Sequence, residues 1–283
     1  MSTSSSLDPN LRDVQCGGEA TDLVSFLQHV DNWLASVPVM DLDFPLFRGQ
    51  EVESWRLLPS IGRAPYQMRL RPGTEQRMLD EFKQRAVPHV ESTVELTNAD
   101  WLAIAQHHAM PTRLLDWSGS ALSALWFAVK KPAVEKPCEN RSCENEEGRG
   151  VLPGAVWMLP VTHGDLISSD ESKDPLGLGQ TRLLKPRHVS RRIAAQDGWF
   201  TVHRGKQSGL DTKYFALDTN PEFRDRLRYI RIPGEKFGII RGQLQRAGIN
   251  RGVLFPDLDG VAGRITDTIL YPADQPTPGA GNL

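Results

Sequence analysis

The feature that most constrains the fold is a pair of apolar helical segments joined by a short polar connector, between residues 98 and 129. Asn98 caps the first segment, ADWLAIAQHH, which has one apolar face, and Pro111 ends it. The second segment, ALSALWFAVKK, is apolar nearly all round and can be capped by Ser118 or Ser120. A helix without a polar face is typical of a protein interior. The sequence therefore predicts a buried helix with polar residues packed beside its start.

The connector holds the densest cluster of polar residues in this apolar context. His107 ends the first helix, and Arg113 and Asp116 follow before the second begins. Leaving such groups buried without a hydrogen-bond partner costs about 1–3 kcal/mol each. Two interpretations remain open: Arg113 and Asp116 form a structural ion pair with His107 capping a helix end, or the three residues belong to a functional site.

Helical and strand patterns mingle irregularly along the rest of the chain. Helices are predicted at residues 21–37, with Thr21 as the N-cap, at Thr74–Ala86, after Asn220 and at 235–247. Strands are predicted at residues 43–49, Gly154–Val161, 198–203 and 229–232. Because strands and helices do not alternate regularly and no internal repeat occurs, the sequence predicts an α+β fold. We expect a single compact domain with a small twisted sheet and flanking helices.

Three segments lack the periodicity of packed elements. Residues 1–20 are predicted to be a disordered tail, and residues 131–150, which contain Pro132, Pro137 and an acidic run, are predicted to be an exposed loop. The domain is accordingly expected to span residues 21–272, with a C-terminal tail at 273–283.

Composition excludes several classes of protein. The chain has 283 residues, of which 39% are hydrophobic and 24% charged, as in an ordinary globular domain. Its net charge of -2 gives no global basic field for nucleic acid. No apolar run approaches the roughly 18 residues of a membrane span, and the polar start does not resemble a secretory signal. Three cysteines, an odd and sparse set, favour a reducing cytoplasm.

The usual signatures of metal and nucleotide sites are absent from the sequence. Cys138 and Cys143, with His163 as the nearest further candidate, do not complete a set of zinc ligands, so no metal site is predicted. The chain has no Walker loop, G-x-G-x-x-G, H-E-x-x-H or G-x-S-x-G motif. These absences remove the common NTPase, Rossmann, zincin and α/β-hydrolase interpretations.

Arginines offer candidate anion sites. Arg48 ends the predicted strand at residues 43–49, where its planar guanidinium suits phosphate or carboxylate and Gly49 would let a ligand approach the backbone. Two basic stretches could also hold phosphates or simply form solvated faces. They comprise Arg182, Lys185, Arg187, Arg191 and Arg192, and then Arg224, Arg226, Arg228 and Arg231.

Several motifs along the chain form a recognisable set. They are Phe47-Arg48-Gly49, Trp55 with Leu58-Pro59-Ser60, the stretch QHHAMPTRLLDWSGSALSALWFAV, and the later RRIAAQDGWFTVH and VLFPDLDG. Together they resemble the FRG domain family, named for its Phe-Arg-Gly tripeptide. The resemblance runs from about residue 22 to residue 270.

A second resemblance, to mono-ADP-ribosyltransferases, implies a fold and a chemistry. Many of these enzymes have an aromatic-Arg-Gly strand, then a Ser-x-Ser strand that runs into an Ala-rich helix ending in Phe-Ala. Phe47-Arg48-Gly49 is similar to the first element, and Ser118-Gly119-Ser120 with Ala124-Leu125-Trp126-Phe127-Ala128 is similar to the second. The usual Glu-x-Glu does not occur on the later strand at residues 198–203.

The position of the missing acid has three candidate occupants. Gln196, just ahead of the later strand, is the best placed, and Asp257 and Asp259 in FPDLDG are the alternatives. The resemblance implies that Gln196 would hydrogen-bond the ribose 2′-hydroxyl of NAD or position an attacking group. An amide cannot act as a base, so the acceptor and the activity are left open.

The same resemblance implies roles for the other candidate residues, with NAD as substrate. Arg48, beside Gly49, would bind phosphate or ribose, Ser118 and Ser120 would steady the sugar pocket, and His107 would orient ribose hydroxyls. Arg113 and Asp116 would fix the turn between them. We predict that Arg48 and His107 line one pocket.

Three functions follow as alternatives. The first is an NAD-consuming ADP-ribosyltransferase-like enzyme, a toxin or phage-defence effector that modifies nucleic acid or protein, or an NAD glycohydrolase. The second is a non-catalytic module that binds a nucleotide or nucleic acid. The third is a hydrolase or nuclease built on His107, Asp116 and Asp257. No membrane association is predicted, and the oligomeric state is left open.

Overall fold

A computed structural model describes residues 14–90, 95–135, 150–187 and 194–270 and has an α+β architecture built on a mixed sheet. The strands are β1 Gln15–Glu19, β2 Phe44–Gln50, β3 Leu114–Ser118, β4 Gly154–Val161, β5 Arg182–Leu184, β6 Gly198–Val202, β7 Gly205–Ser208, β8 Asp211–Tyr214 and β9 Arg228–Ile232. The helices are α1 Leu23–Ser36, α2 Thr74–Ala86, α3 Asn98–His107, α4 Ala121–Val129, α5 Ser169–Lys173, α6 Pro221–Arg224, α7 Phe237–Arg246, α8 Arg251–Leu254 and α9 Leu258–Leu270.

The sheet has the strand order β1-β9-β4-β2-β3-β6-β5 within the described residues, and β7 and β8 form a separate hairpin. Strand β1 pairs with β9 in parallel, whereas the other pairs are antiparallel. Strand β2 pairs with β4 along its whole length but meets β3 only through Phe47 and Ser118. Ser118 in turn lies opposite Gly198, the first residue of β6. The ends of β2 and β3 and the start of β6 are therefore neighbours.

Side chains cover both faces of the sheet. Helices α1, α4 and α7 pack on one face, where Phe26, Leu125 and Ile240 are buried. Trp157 and Tyr229 are buried on the other face. Every residue of β4 is buried, which explains the unbroken apolar run GAVWMLPV, because a strand covered on both faces needs no polar alternation.

Gly49 is the point at which α4 touches the sheet. A Cβ atom at this position would lie 1.8 Å from the carbonyl oxygen of Ala124 and 2.6 Å from the nitrogen of Ala128. Only glycine permits this close approach between strand and helix. The backbone of α4 therefore occupies the space on the side of Gly49 where a Cβ atom would lie. The expectation that Gly49 lets a ligand approach the backbone is wrong on that side.

The predicted helix caps are displaced by one residue in two cases. Asp22, not Thr21, caps α1 through a capping box with Ser25. Thr97, not Asn98, caps α3. Both residues have the extended backbone conformation that directs a side-chain oxygen to the third amide of the helix. Of the two candidates for α4, Ser120 is the cap.

The N-terminal expectation is partly wrong. Residues Gln15–Glu19 form β1 at the edge of the sheet, held by backbone hydrogen bonds to β9 rather than by an apolar pattern of their own. Residues 1–13, residues 136–149 of the predicted loop with Cys138 and Cys143, and the predicted tail 273–283 lie outside the described residues. Glu135, inside the predicted loop, and Val151, just after it, form an antiparallel bridge.

The described part of the chain contains no helix that is both long and apolar enough to cross a membrane.

Candidate functional site

A cleft of about 750 Å³ opens where β2, β3 and the start of β6 meet. Its walls include five of the predicted site residues, namely Arg48, Gly49, Asp116, Ser118 and Gln196. These residues are up to about 150 positions apart in the chain, and the sheet brings them together because their strands are neighbours. We call this cavity the main cleft.

Arg48 is the central cation of the main cleft. Its side chain is only 15% exposed, and its Nη1 donates to the carbonyl oxygen of Asp116 and lies 3.8 Å from the Asp116 carboxylate. Its Nε is buried and has no hydrogen-bond partner among the described residues. Burial lowers the pKa of Arg48 to about 10, opposed in part by the Asp116 carboxylate, so the group remains charged at neutral pH. A buried, incompletely paired guanidinium is a strong site for an anion.

Three more cations line the main cleft beside Arg48: Arg56, Arg63 and Lys130. Burial lowers the pKa of both Arg63 and Lys130, and neighbouring positive charges add to the effect at Lys130. The carboxylates on the same walls are Glu51 and Asp116. Cations therefore outnumber carboxylates four to two, which favours an anionic ligand.

Aromatic rings supply the apolar part of the main cleft. Trp55 is 49% exposed on its wall, and Phe127 of α4 also lines the cleft. The ammonium group of Lys130 lies 5.0 Å from the centre of the Phe127 ring. A flat ring of a ligand can thus pack between apolar side chains while its charged part meets the arginines.

Ser118 and Ser120 use their hydroxyl groups to build the turn into α4. The Ser118 hydroxyl donates to the Gln196 carbonyl oxygen at 2.6 Å and accepts from the Ser120 backbone amide at 3.0 Å. The Ser120 hydroxyl accepts from the Ser123 amide as the N-cap of α4, and Ser120 is not part of the main cleft. Ser118 therefore lines the site while holding β3 to the segment before β6.

Among the candidates for the acid position, only Gln196 lies in the main cleft. Its amide nitrogen donates to the Leu254 carbonyl oxygen at 2.9 Å, which fixes the direction of the side chain. Asp257 accepts from the Gly260 amide and caps α9, and Asp259 is exposed in the first turn of that helix. Neither aspartate lines the main cleft. This separation also removes Asp257 from the hydrolase interpretation that grouped it with His107 and Asp116.

The predicted pair between Arg113 and Asp116 does not form. Arg113 is buried against Glu75 of α2, with its Nε 2.9 Å from Glu75 Oε1, and it also donates to the carbonyl oxygens of Pro175 and Leu176. Residues three apart along an extended strand point to opposite faces, so Arg113 and Asp116 diverge. Asp116 lies beside Arg48, and Arg113 is not part of the main cleft.

His107 does not share the main cleft with Arg48. It lines a neighbouring pocket of about 100 Å³, whose other walls include Gln106, Asp116 and Gln196, and its ring meets that of His108 edge to face. Consecutive helix residues diverge by about 100°. Gln106 therefore reaches the main cleft in its place, with its Nε2 3.3 Å from the Asp116 carboxylate.

Most of the described arginines in the two basic stretches already form ion pairs with carboxylates. Arg182 pairs with Glu171, and Arg226 forms a bidentate pair with Asp165 at 2.8 and 2.9 Å. Arg187 lies 3.6 Å from Asp100. Arg191 and Arg192 lie outside the described residues. Because these side chains leave different segments of the chain and already have partners, the described part of the stretches does not form one phosphate-binding surface.

Four residues that were not predicted as site residues also line the main cleft, namely Glu51, Arg63, Gln106 and Lys130. Gln106 directly precedes His107 in the polar connector, and Lys130 follows the apolar helix. These positions in the sequence were the signals that could have indicated a role for the two residues in the site. The described residues contain no cluster of three or more groups able to hold a metal ion.

Comparison with known families identifies one domain in the chain. Residues 45–136 match the model of the FRG domain. This segment contains β2, α2, α3, β3 and α4, and with them Arg48, Gln106, Asp116 and Ser118. The motifs at residues 191–203 and 253–260, which include Gln196, lie outside the match. No curated protein and no solved structure matches the chain. The chain therefore contains a segment, residues 45–136, that is similar to the FRG domain family.

Proposed function

We propose that the main cleft binds NAD and that the protein is an ADP-ribosyltransferase-like enzyme, which cleaves the bond between nicotinamide and ribose. The observation that carries the proposal is the convergence of three elements named by the resemblance. Arg48 on β2, Ser118 at the end of β3 and Gln196 before β6 lie on neighbouring strands and line one cavity. Similarity of separate sequence motifs to an enzyme family does not by itself require that their residues lie together in the fold, so this convergence is independent support for the proposal.

The main cleft suits a dinucleotide in size and charge. A volume of about 750 Å³ falls within the range of small-molecule sites. The excess of cations around Arg48 is suited to a diphosphate, and Trp55 and Phe127 offer apolar surfaces to the nicotinamide or adenine ring.

The carboxylate of Asp116 would supply the electrostatic part of the reaction. As the bond to nicotinamide breaks, the bonding electrons leave with the nicotinamide and positive charge develops on the ribose. A fixed carboxylate stabilises that charge more in the transition state than in the substrate. The Asp116 side chain is 61% exposed beside Arg48, so it is accessible to a ligand. The attacking acceptor, or water in a glycohydrolase, adds at the ribose and loses a proton to solvent.

The acceptor in this proposal is a nucleic acid or a protein, and the biological role is that of a toxin or defence effector. The site provides no described group that selects one acceptor, so the experiment measures nicotinamide release, which is common to every acceptor. Purified protein is incubated with NAD, with and without a lysate as a source of acceptors, and nicotinamide is measured by chromatography.

Replacement of Arg48 tests the proposal. Loss of a charge-assisted contact worth about 2–4 kcal/mol predicts that Arg48→Ala lowers kcat/KM roughly thirty- to a thousand-fold. Arg48→Lys should restore little activity, because an ammonium group lacks the planar pair of donors. Arg77→Ala, which removes an exposed arginine on α2, is the matched control and should leave turnover unchanged. Thermal melts establish that each variant is folded, and no release of nicotinamide by the unaltered protein would reject the enzyme.

One observation favours a second candidate, a non-catalytic nucleotide-binding module. Gln196, the candidate for the acid position that lines the main cleft, is an amide that cannot act as a base, and its Nε2 donates to the Leu254 carbonyl oxygen. Titration calorimetry with NAD separates the two functions. Binding without nicotinamide release supports the module, whereas an Asp116→Asn variant that binds NAD and loses turnover supports the enzyme.

A further inference from the structure

A second cavity, of about 440 Å³, lies between the end of α4, helix α7 and the segment that contains α8 and α9. We call it the basic cavity, because five cationic side chains and one carboxylate, Asp267, line it. The cationic residues are Lys130, Lys131, Arg241, Arg251 and Arg264. The whole chain has a net charge of -2, so this concentration of positive charge is local.

Two carboxylates of the described residues lie close to the cations of the basic cavity. Asp267 lies 3.6 Å from Arg251, and Glu51 lies 3.6 and 3.8 Å from the ammonium groups of Lys130 and Lys131. No carboxylate of the described residues pairs with Arg264, which is exposed. Lys130, Lys131, Arg251 and Arg264 therefore outnumber these two carboxylates, so the described part of the cavity attracts an anion.

The fold holds one of these cations, Arg241, in place before any ligand binds. Arg241 donates from Nη1 to the carbonyl oxygens of Val129 and Lys131, at the end of α4, at 2.6 and 2.7 Å. This contact fixes α7 to the segment that carries the two lysines. Preorganised cations lose little conformational freedom when an anion binds.

Aromatic rings form the boundary between the two cavities. Trp126 and Phe255 line the basic cavity with their ring centres 5.9 Å apart, and Phe127 lies 6.1 Å from Phe255 and faces the main cleft. Lys130 lines both cavities and lies over the Phe127 ring. Positive charge and aromatic surface thus continue from one cavity into the other.

We infer that the basic cavity binds the phosphate backbone of a single-stranded nucleic acid. Several cations around one cavity can contact successive phosphates of a strand, whereas a single phosphate needs only one or two. Sites for single strands combine such a basic groove with aromatic side chains that contact the bases. A flexible strand can also enter a concave cavity. Binding here rests on the basic cavity alone and does not depend on NAD chemistry in the main cleft.

The test uses a fluorescein-labelled twelve-nucleotide oligo-dT and fluorescence anisotropy. A variant with Lys131→Glu and Arg264→Glu reverses two exposed charges of the basic cavity. The matched control, Arg77→Glu with Lys213→Glu, makes the same change of charge at exposed positions elsewhere. We expect the cavity variant to bind at least about tenfold more weakly, and the slope of log K against log salt to fall by about 0.7 for each lost phosphate contact. The control should bind within twofold of the unaltered protein.

Competition identifies the ligand class. Unlabelled oligo-dT should displace the probe, whereas AMP, inorganic phosphate and poly-glutamate at equal phosphate or carboxylate concentration should not. Displacement by AMP or phosphate would assign a small-anion site instead, and displacement by poly-glutamate would assign an acidic protein. Equal weakening of the control, or absence of binding by the unaltered protein at low salt, would overturn the inference. Salt dependence of the unaltered protein is measured independently, so misfolding of a variant does not leave the question open.

Discussion

Arg48 and Arg113 are both largely buried, but their surroundings give them different tasks. Arg113 meets the carboxylate of Glu75 and two backbone carbonyl groups, so its donors are satisfied inside the protein. Arg48 has one carbonyl acceptor and a carboxylate at 3.8 Å, and its Nε has no partner among the described residues. Since buried donors without partners are costly, we expect Arg113 to contribute to stability, whereas the proposed function uses the unpaired Nε of Arg48 to bind a ligand.

Removal of Arg113 should destabilise the protein strongly. Arg113→Ala leaves the Glu75 carboxylate buried without its cation, and we expect the free energy of unfolding to fall by about 3–5 kcal/mol in urea titrations. Glu75→Gln combined with Arg113→Met should cost less than the sum of the single changes, because neither charge is then left alone. A loss below about 1 kcal/mol for Arg113→Ala would contradict a structural role for the pair.

His203 predicts a dependence of stability on pH. It is fully buried between Thr201 and the Phe215 carbonyl oxygen, to which its Nδ1 must donate. Burial lowers the pKa of His203 to about 4, and the nearby charge of Arg48 contributes in the same direction. Between pH 6.5 and 4 the unfolded chain therefore binds a proton that the folded protein does not, so stability falls as pH falls.

The change is best measured against a variant that cannot titrate. Across this interval the unfolding free energy should fall by about 3 kcal/mol more in the unaltered protein than in His203→Gln. The difference between the two proteins isolates the histidine from the carboxylates that titrate over part of the same range. Parallel curves from pH 7 to pH 4 would show that His203 is not the responsible group.

At the scale of elements, the contact between β2 and α4 sets the position of the main cleft. Helix α4 begins at the Ser118–Ser120 turn, crosses Gly49 and carries Phe127 to the cleft wall. Any change that lifts the helix from the strand therefore disturbs both the core and the site.

Gly49→Ala should separate β2 from α4. The added methyl group would lie 1.8 Å from the backbone of Ala124, and overpacking of this kind costs about 1–3 kcal/mol. The expected result is a lower melting temperature and weaker binding of NAD. Gly179→Ala is the matched control, because a Cβ there meets nothing within 4 Å. Equal stability of the two variants would mean that the helix can move away freely.

Elements with a strong local pattern could be predicted from the sequence, and those held by distant partners could not. Thr74–Ala86 and Gly154–Val161 have the predicted bounds, since helical periodicity and an unbroken apolar run identify them locally. Strand β3 was interpreted as part of a connector, because LLDWS is short and becomes a strand by pairing with β6. Strand β1 was missed for the same reason.

The residues of the candidate site divide in the same way: those in local sequence motifs could be predicted, and those positioned by distant parts of the chain could not. Arg48 and Ser118 stand in motifs that chemistry and resemblance both indicate, and the structure places them in one cavity. Glu51 and Arg63 enter the main cleft through the path of the chain after β2, which no local pattern specifies. The divergence of Arg113 from Asp116 likewise depends on the extended conformation of β3, and this could not be derived once that segment was taken as a turn.

For the whole molecule, the extent of the FRG match differs from the extent of the folded unit. The matched segment, residues 45–136, contains β2 and β3, which share only the pair formed by Phe47 and Ser118. Strand β4, which pairs with β2 along its full length, lies after the match, as do the fully buried Trp157 and Tyr229. Within this structure the matched segment therefore lacks most of the sheet on which its helices pack.

A fragment of residues 45–136 should consequently fail to fold alone, whereas the full chain should fold. Without β4, strand β2 loses its hydrogen-bond partners and the apolar face of α4 loses part of the surface that covers it. We expect the full chain to show a cooperative thermal transition by circular dichroism and the fragment to show none, with its amide hydrogens exchanging at rates typical of an unfolded peptide. Mixing the fragment with residues 150–270 should restore protected amides in β2, because that piece supplies β4, β6 and β9. A cooperative transition in the isolated fragment would instead make the matched segment a domain in its own right.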